Sequence, residues 1–319
     1  MSKRTVLSNG VFSASAITST ETCEVKAYNE YEEGWQFKKI SNGLKTGLMM
    51  HDAQEMYLKG DNESAVINSV EEEVKSLGWD EDELFLPKLR AYIRGYYERW
   101  EIEDADAFSQ KKYELISTEE DFEFTSNHIT FVGRMDAVLL DKENDCIILM
   151  EHKNVSPLSR CKDMTSFFWR SLIFNNQLNI YATYLQAKYK KPVYVWYDVM
   201  ETSPGTKPKL IKKQRETLEE FEERLTAIYK DREQNKYIRK LIPVLENLRK
   251  ERMIEILDLA KAAQSYGYHG KPTKNRQSCD KYGGCPFFES CLGLEVLHES
   301  PRFEKKEHFK PKDTNEIPF

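Results

Sequence analysis

Two carboxylates and an ammonium lie beside apolar residues in GRMDAVLLDKENDCIILMEHKN, residues 133–154. The segment is typical of a β-hairpin. A four-residue loop at 142–145 would place Asp136 opposite Glu151, whereas a five-residue loop would shift the pairing by one residue. Glu151 and Lys153 are two residues apart on one strand and therefore share a face. Neighbouring carboxylates repel each other unless one is protonated or a divalent cation neutralises them, and Mg²⁺ and Mn²⁺ prefer carboxylate oxygens.

The chemistry that this cluster predicts is metal-assisted hydrolysis of a phosphodiester. A lysine beside a bound cation can orient or help deprotonate the attacking water, and it can stabilise the charge that builds up on the phosphate. A structural interpretation stays open as the alternative. Glu151 and Lys153 would then end a solvated strand, and Asp136 would form a surface ion pair.

Further motifs resemble those of one nuclease family. In PD-(D/E)xK nucleases an Asp precedes a strand that ends in (D/E)xK, and residues 133–154 have this order. Gln177 and Tyr181 reproduce the QxxxY motif of the RecB-like branch, at a spacing that puts both on one helix face. Gly47 and His51 reproduce its upstream GxxxH element, although a lone histidine on a helix can also be an ordinary surface or core residue. The chain thus resembles a RecB-like nuclease over nearly its whole length.

The resemblance implies a role for each motif residue. Four residues would bind the catalytic Mg²⁺ or Mn²⁺, the last of them through its backbone carbonyl: His51, Asp136, Glu151 and His152. Lys153 would act on the attacking water or on the transition state. Gln177 and Tyr181 would position Lys153 and the DNA backbone. The implied catalytic set is therefore Asp136, Glu151, Lys153, Gln177 and Tyr181.

Three of the six cysteines, Cys279, Cys285 and Cys291, cluster near the C-terminus. Thiolates at such spacing bind zinc or an iron–sulfur cluster, and either normally needs four ligands. Some RecB-like nucleases, among them the AddB type and a CRISPR-associated adaptation nuclease, hold a [4Fe–4S] cluster with one cysteine before the catalytic core and three after it. Resemblance to them implies Cys23 as the fourth ligand. The first interval of the cluster is longer than the family's usual CxxC step, so zinc, a site without metal, and Cys161 in place of Cys23 stay open.

DNA is the partner that the resemblance implies. The net charge of −6 argues against indiscriminate polyanion binding, so basic residues would have to be concentrated locally. Aromatic and basic residues between the ExK strand and the QxxxY helix would stack on unpaired bases or contact phosphates, or would form core and a solvated face instead: Phe167, Phe168, Trp169, Arg160, Lys162 and Arg170. No GxxxxGK[ST] loop is present, so a helicase or recombination partner would be a second polypeptide.

The order of predicted elements favours an α/β fold. The resemblance implies a restriction-endonuclease-like core, a mixed central sheet flanked by helices, with a helical N-terminal region and a C-terminal Cys-rich metal-binding segment. A single nuclease domain is predicted at 1–300, followed by a disordered tail at 301–319. The predicted parts of the domain are a mainly helical region with Cys23 and GxxxH, the catalytic α/β core, a helical region and the cysteine segment: 1–110, 111–200, 201–265 and 266–300.

By resemblance, the predicted function is that of a metal-dependent DNA exonuclease acting on single-stranded or end-containing DNA in recombination, repair or phage DNA processing. Two alternatives are a structure- or sequence-specific endonuclease on the same core, and a DNA-binding iron–sulfur or zinc protein that does not cut. The mean hydropathy of −0.67 and the short apolar runs predict no membrane association. The N-terminus does not resemble a signal peptide, which predicts a cytoplasmic protein of a bacterial or phage-infected cell.

Overall fold

The computed structural model describes residues 5–38, 40–109, 112–156, 161, 163, 165–203, 206–211, 214–265, 272–280 and 284–306. Its centre is a mixed β-sheet. The strands of this part of the chain are β1 Val11–Phe12, β2 Trp35–Phe37, β3 Tyr113–Ser126, β4 Ile129–Asp141, β5 Cys146–Val155, β6 Val193–Glu201, β7 Leu210–Ile211, β8 Gln214–Arg215, β9 Tyr237–Pro243 and β10 Phe303–Lys305.

Helices cover both faces of the sheet. Their bounds are α1 Ala14–Thr22, α2 Glu24–Ala27, α3 Asn42–Lys59, α4 Glu63–Ser76, α5 Phe85–Ser109, α6 Phe167–Ser171, α7 Asn176–Tyr189, α8 Leu218–Lys230, α9 Glu246–Gln264 and α10 Phe288–Leu292. A π-helical turn follows α2 at Tyr28–Glu32. Within the described residues, no helix combines the length and the apolar composition that crossing a membrane requires.

Strand β4 organises the sheet. Strand β3 pairs antiparallel along one edge of β4 over its full length. The other edge of β4 carries β1, which is parallel, and β5, which is antiparallel. Strand β6 pairs parallel to β5 and antiparallel to β9. A mixed sheet flanked by helices is therefore present, as the sequence predicts.

The β4–β5 hairpin has the predicted four-residue loop at 142–145. Its ladder ends with Ala137 opposite Met150. The next pair in the same register is Asp136 and Glu151, at the point where the two strands cease to pair. The hairpin register therefore brings the two carboxylates to the same level of the sheet.

Two apolar cores hold the helices against the sheet. One core joins α1, α7 and α9 to residues such as Leu149 and Val195 on one face. The other joins α3, α4 and α5 to Met200 and Tyr237 on the opposite face. Burial of each such large apolar side chain contributes about 1.5–3 kcal/mol, so both helical layers are firmly attached to the sheet that carries the acidic pair.

Residues 201–265, predicted as helical, contain strand β9 at the edge of the sheet as well as the short pair β7–β8. The prediction was wrong there because charged residues interrupt the apolar alternation of YIRKLIP. Arg239 occupies a buried position in this strand, where it pairs with Asp104 and Asp198. An inward-facing arginine removes the period-2 pattern by which a strand is recognised.

The segment 166–189 does not form one continuous helix, although its composition favours a helix. Asn175 is extended, with φ −67° and ψ 128°, and its side chain accepts a hydrogen bond from the backbone N–H of Leu178. Asparagine favours this N-cap role over a helix interior because its side chain competes for backbone groups. The interruption places Gln177 in the first turn of α7. Near the N-terminus, Cys23 ends α1 in an extended conformation.

The predicted disordered tail begins too early at 301. Strand β10 pairs with β2, and Phe303 is buried between neighbouring aromatic rings. The burial of this phenylalanine supplies apolar contacts that a disordered tail would lack. Residues 307–319, like Arg160 and Lys162, lie outside the described residues.

Candidate active site

Three carboxylates form a row across β3, β4 and β5. In the β3–β4 register Glu119 falls at the level of Asp136, and in the β4–β5 register Asp136 falls at the level of Glu151. The side chain of His51 reaches the row from α3. Ligand atoms of His51, Glu119 and Asp136 all lie within 4.8 Å of one another. Glu119, Asp136 and Glu151, together with His51, are called the carboxylate row below.

Asp136 lies where the β4–β5 ladder stops. Its Oδ2 accepts a hydrogen bond of 2.7 Å from the backbone N–H of His152, and its Oδ1 lies 3.4 Å from Nδ1 of His51. Burial would raise the pKa of this carboxyl, but the hydrogen bond and charge of His51 outweigh that effect and hold the pKa at about 2. Asp136 is therefore the ionised member of the row.

Glu151 is fully buried. Its Oε2 accepts hydrogen bonds from Nε2 of Gln177 at 2.7 Å and from Nζ of Lys153 at 3.4 Å, while its Oε1 has no partner among the described residues. Burial, and then the charge of Asp136, raises the pKa of Glu151 to about 8. A buried carboxylate oxygen without a partner is costly unless a cation or a water fills the space beside it.

Glu119 is the member of the row that sequence reasoning missed. Burial and the charge of Asp136 raise its pKa to about 7. Its φ of 47° interrupts the regular pairing of β3 at this position. The acidic run of β3 was visible in the sequence, but its alignment on β4 was not. The level of Glu119 depends on a β-bulge between Leu115 and Ser117.

The row fits a hard divalent cation. Ligand atoms of His51, Glu119 and Asp136 converge, and Glu151, whose Oε1 has no partner among the described residues, lies at the same level of the sheet. Oxygen-rich sites of this type suit Mg²⁺ or Mn²⁺, and a bound cation would remove the mutual repulsion that raises the pKa values. His51, Glu119, Asp136 and Glu151 supply the side-chain donors for such a site.

Lys153 and Tyr181 are positioned around Gln177. The Nζ of Lys153 donates to Oε1 of Gln177 at 3.2 Å, so this one amide contacts both members of the ExK motif. Tyr181 is buried one turn further along α7. A Cβ atom at Gly133 would lie 2.9 Å from the Tyr181 hydroxyl, so glycine permits the close approach of β4 and α7. Tyr181 thus packs behind the amide and against the strand of Asp136.

His152 belongs to a second buried cluster on the opposite face of β5. Its Nδ1 lies 3.2 Å from Oδ2 of Asp198, which also accepts from the hydroxyl of Tyr96 at 2.6 Å. Arg239 completes this cluster, 3.3 Å from Asp198 and 2.7 Å from Asp104. The backbone of His152 holds Asp136 while its ring lies in this cluster, which is called the Asp198 cluster below.

The four predicted cysteine ligands come together although one is far away in sequence. The backbone N–H of Asn275 donates to Sγ of Cys23 at 3.4 Å, and the N–H of Cys285 donates to the carbonyl of Cys279 at 2.7 Å. Burial raises the pKa of the Cys285 thiol, as do the neighbouring thiols of Cys291, Cys279 and Cys23.

The remaining two cysteines, Cys146 and Cys161, lie in apolar cores. Cys161 lies in the apolar core near Tyr197, not with the C-terminal cysteines. Trp169, predicted as a stacking or core residue, is core: its Nε1 donates to the carbonyl of Cys161 at 2.8 Å. Phe168 is partly buried against the same core, whereas Phe167 and Arg170 are exposed.

Solved structures provide one comparison that bears on the fold. A crystal structure of a protein from Eubacterium rectale, described as a candidate exonuclease, shares 11% sequence identity with this chain. It aligns with a TM-score of 0.50 over 91% of this chain and 90% of that chain, a likeness of fold alone. A crystal structure of SSO0001, with 16% identity over 79% of this chain and 97% of that chain, has a TM-score of only 0.27 and supports no conclusion.

Sequence comparison gives the family. A search of curated proteins finds no match. The family profile described as the PD-(D/E)XK nuclease superfamily matches residues 11–291. That range contains the carboxylate row, the QxxxY helix and all four cysteines of the predicted cluster, and the fold is the restriction-endonuclease-like one. The chain belongs to the PD-(D/E)XK nuclease superfamily.

Proposed function

We propose that this nuclease is a metal-dependent DNA exonuclease whose reaction centre is the carboxylate row. The observation that carries the proposal is the convergence of His51, Glu119 and Asp136 on one point, at the sheet level of Glu151, whose carboxylate contacts the ammonium of Lys153. A non-cutting DNA-binding protein has no use for an unpartnered buried carboxylate oxygen and two carboxyl groups of raised pKa.

The residues divide the work of hydrolysis. Mg²⁺ or Mn²⁺, when bound by the row, supplies Lewis-acid activation of water and neutralises the phosphate. His51 and the three carboxylates would hold the cation, and the backbone of His152 keeps Asp136 in place through its N–H. Lys153 orients the attacking water and stabilises the phosphate charge in the transition state.

Gln177 sets the position of that ammonium. Its amide donates to Glu151 and accepts from Lys153, so both groups are held at one separation. Tyr181 stacks edge-on against Phe122, with ring centroids 4.9 Å apart, and thereby supports α7 behind Gln177. A catalytic group that is held in place loses less freedom on reaching the transition state.

The preference for ends rests on the resemblance of the GxxxH and QxxxY motifs to RecB-like exonucleases. The direct test offers the purified protein three substrates with Mg²⁺ or Mn²⁺: end-labelled single-stranded DNA, end-labelled duplex and covalently closed circles. We expect progressive release of label from linear DNA, and we expect the circles to remain intact. Cutting of circles would replace the exonuclease with an endonuclease on the same core, and no cutting of any substrate would support a binding protein.

We also propose that Cys23, Cys279, Cys285 and Cys291 bind a structural [4Fe–4S] cluster. Supporting the proposal, the thiols of Cys23 and Cys279 add to burial in raising the pKa of both Cys285 and Cys291, and thiolate donors suit iron–sulfur clusters as well as zinc. Such a site would tie α1 to the C-terminal segment. Metal analysis of protein purified without oxygen distinguishes the two metals. About four irons per chain with an absorbance at about 400 nm would support the cluster, whereas a colourless protein with about one zinc per chain would show a zinc site instead.

A further inference from the structure

A groove with a volume of about 860 Å³ opens beside the carboxylate row. Gln177, which contacts both Glu151 and Lys153, is part of its lining. The other walls come from α1, from the segment around the start of α3, and from the β2–β10 pair with Phe287. The groove is therefore continuous with the reaction centre through one shared side chain.

One wall of the groove presents an aromatic face. The rings of Phe37 and Phe303 are stacked with centroids 4.8 Å apart, and the rings of Phe303 and Phe287 are stacked at 5.3 Å. Phe303 and Phe287 are buried, whereas Phe37 keeps 43% of its surface exposed. Phe37 is the outer ring of a supported stack, so a further flat ring can add to it at little cost in ordering.

Helix α3 continues this apolar wall toward the metal ligand. Leu44 lines the groove, and Leu48 and His51 follow at spacings of four and three residues on the same helix face. Both leucines are exposed, as is Ile40 just before the helix. Consecutive exposed leucines on one face mark a surface that a ligand covers, and here they lie between the aromatic stack and the metal site.

The opposite wall supplies polar and basic groups. Ser15, Thr18 and Thr22 place hydroxyl groups of α1 along the groove, and Lys26 adds an ammonium group, as does Lys306 just after β10. Among the described residues of the lining, the one carboxylate is that of Glu30, which accepts a hydrogen bond from the hydroxyl of Ser19 at 2.7 Å and lies 3.7 Å from Lys26. Beyond the lining, the Arg302 guanidinium lies 5.9 Å from the Phe37 ring centroid.

We propose that this groove binds a single strand of DNA and directs it to the carboxylate row. Bases of an unpaired strand offer aromatic faces to Phe37 and apolar edges to the α3 leucines, while the phosphates reach the hydroxyl and ammonium groups of the opposite wall. A duplex keeps its base faces stacked inside and offers the apolar wall only phosphates and sugars. The inference rests on the proposed function for the identity of the polymer and adds the strand preference and the path.

The test is a binding measurement that needs no cleavage. Fluorescence anisotropy with EDTA present compares a labelled oligothymidylate with a blunt duplex of the same length. Because stacking is worth about 1–3 kcal/mol per base, Phe37→Ser should weaken single-strand binding by about fivefold or more. Leu44→Ser should weaken it as well, because it removes apolar contact area, and neither change should alter duplex binding. Circular dichroism and thermal melting verify that the variants fold.

Matched controls separate the groove from general surface effects. Phe288 is 41% exposed and neighbours Phe287 without lining the groove, and Ile254 on α9 is 61% exposed against 56% for Leu44. Phe288→Ser and Ile254→Ser should bind single strands as the parent protein does. Equal loss in the controls, or equal loss of single-strand and duplex binding, would overturn the proposal.

Three other outcomes are decisive. A dimer that Phe37→Ser dissociates, with unchanged oligonucleotide binding, would assign the groove to a second copy of the chain and overturn the proposal. If the protein cuts no DNA but binds single strands in a way that depends on Phe37, this inference stands and the proposed function is wrong. If it cuts DNA but its single-strand binding does not depend on Phe37, the proposed function stands and this inference is wrong.

Discussion

Two groups of acidic side chains lie on opposite faces of the same sheet and are balanced in different ways. In the Asp198 cluster, burial alone would raise the pKa of Asp198, yet Arg239 and hydrogen bonds from His152 and Tyr96 hold it at about 2. In the carboxylate row, Glu151 and Glu119 have raised pKa values instead. The difference is that Arg239 pairs with both carboxylates of the first cluster, whereas in the row Lys153 pairs with Glu151 and the carboxyl groups still repel one another.

His152 joins the two groups. Its ring contacts Asp198, and its backbone N–H contacts Asp136. Successive residues of a strand point to opposite faces, so one residue can serve both. A buried carboxylate paired with arginine therefore belongs to the scaffold, whereas the uncompensated carboxylates of the row favour the binding of a divalent cation.

The largest expected effect comes from removing charge in the row. Asp136→Asn keeps an oxygen that can accept from His152 but loses the anion, so DNA cleavage should fall by at least about 10³-fold with the fold retained. Nuclease assays with Mn²⁺ alongside circular dichroism measure this. Asp121→Asn, on β3 but outside the row, is the control and should stay active. Full activity of Asp136→Asn would end the assignment of the row.

Removing charge from the Asp198 cluster should damage stability first. Asp198→Ala leaves Arg239 buried without one of its carboxylates, and breaking such a pair costs about 3–5 kcal/mol. Urea unfolding measures the change in the free energy of unfolding. Asp258→Ala on the exposed side of α9 should change it by no more than about 0.5 kcal/mol. An Asp198→Ala protein as stable as its parent would show that the Asp198 cluster does not stabilise the fold, and the contrast with the carboxylate row would be wrong.

Glu119 tests whether the row has three working carboxylates. Glu119→Gln removes one anionic oxygen from the cation site, so the Mn²⁺ concentration for half-maximal cleavage should rise by about tenfold while activity at saturating metal partly recovers. A titration of cleavage rate with Mn²⁺ gives both quantities. An unchanged titration would restrict the site to His51, Asp136 and Glu151.

The smallest effect is on stability as pH changes. The pKa of Glu151 is about 8 in the folded protein against an ordinary value of 4.5, so its protonated form is favoured on folding. The stabilisation is complete below about pH 4.5 and is lost as pH rises toward 8. The melting temperature of metal-free protein should therefore fall more steeply between pH 5 and 8 than that of Glu151→Gln, and Mn²⁺ should reduce the difference. Parallel curves would contradict the raised pKa.

Sequence reasoning recovered what local spacing controls. The short charged loop between two apolar runs allowed the level of Asp136 with Glu151, and the resemblance to RecB-like nucleases implied that His51 and Gln177 would approach them. The N-cap role of Asn175 was not predicted, because an asparagine inside an otherwise helical pattern does not show whether it caps a helix or continues one. Arg239 concealed its strand because the carboxylates that neutralise it are distant in sequence.

The amino-acid sequence provided the motif set and two possible hairpin registers, and through the family it implied the fold and the nuclease chemistry. Only the tertiary structure decided that Glu119 joins the row, that Cys23 rather than Cys161 meets the C-terminal cysteines, and that Phe37 and α3 line a groove beside Gln177. The two sets of features differ in how far apart in the sequence the contacting residues lie. A hairpin register and an i,i+4 spacing are set by neighbouring residues, whereas a bulge alignment, a contact across 250 residues and a groove depend on how completed elements pack.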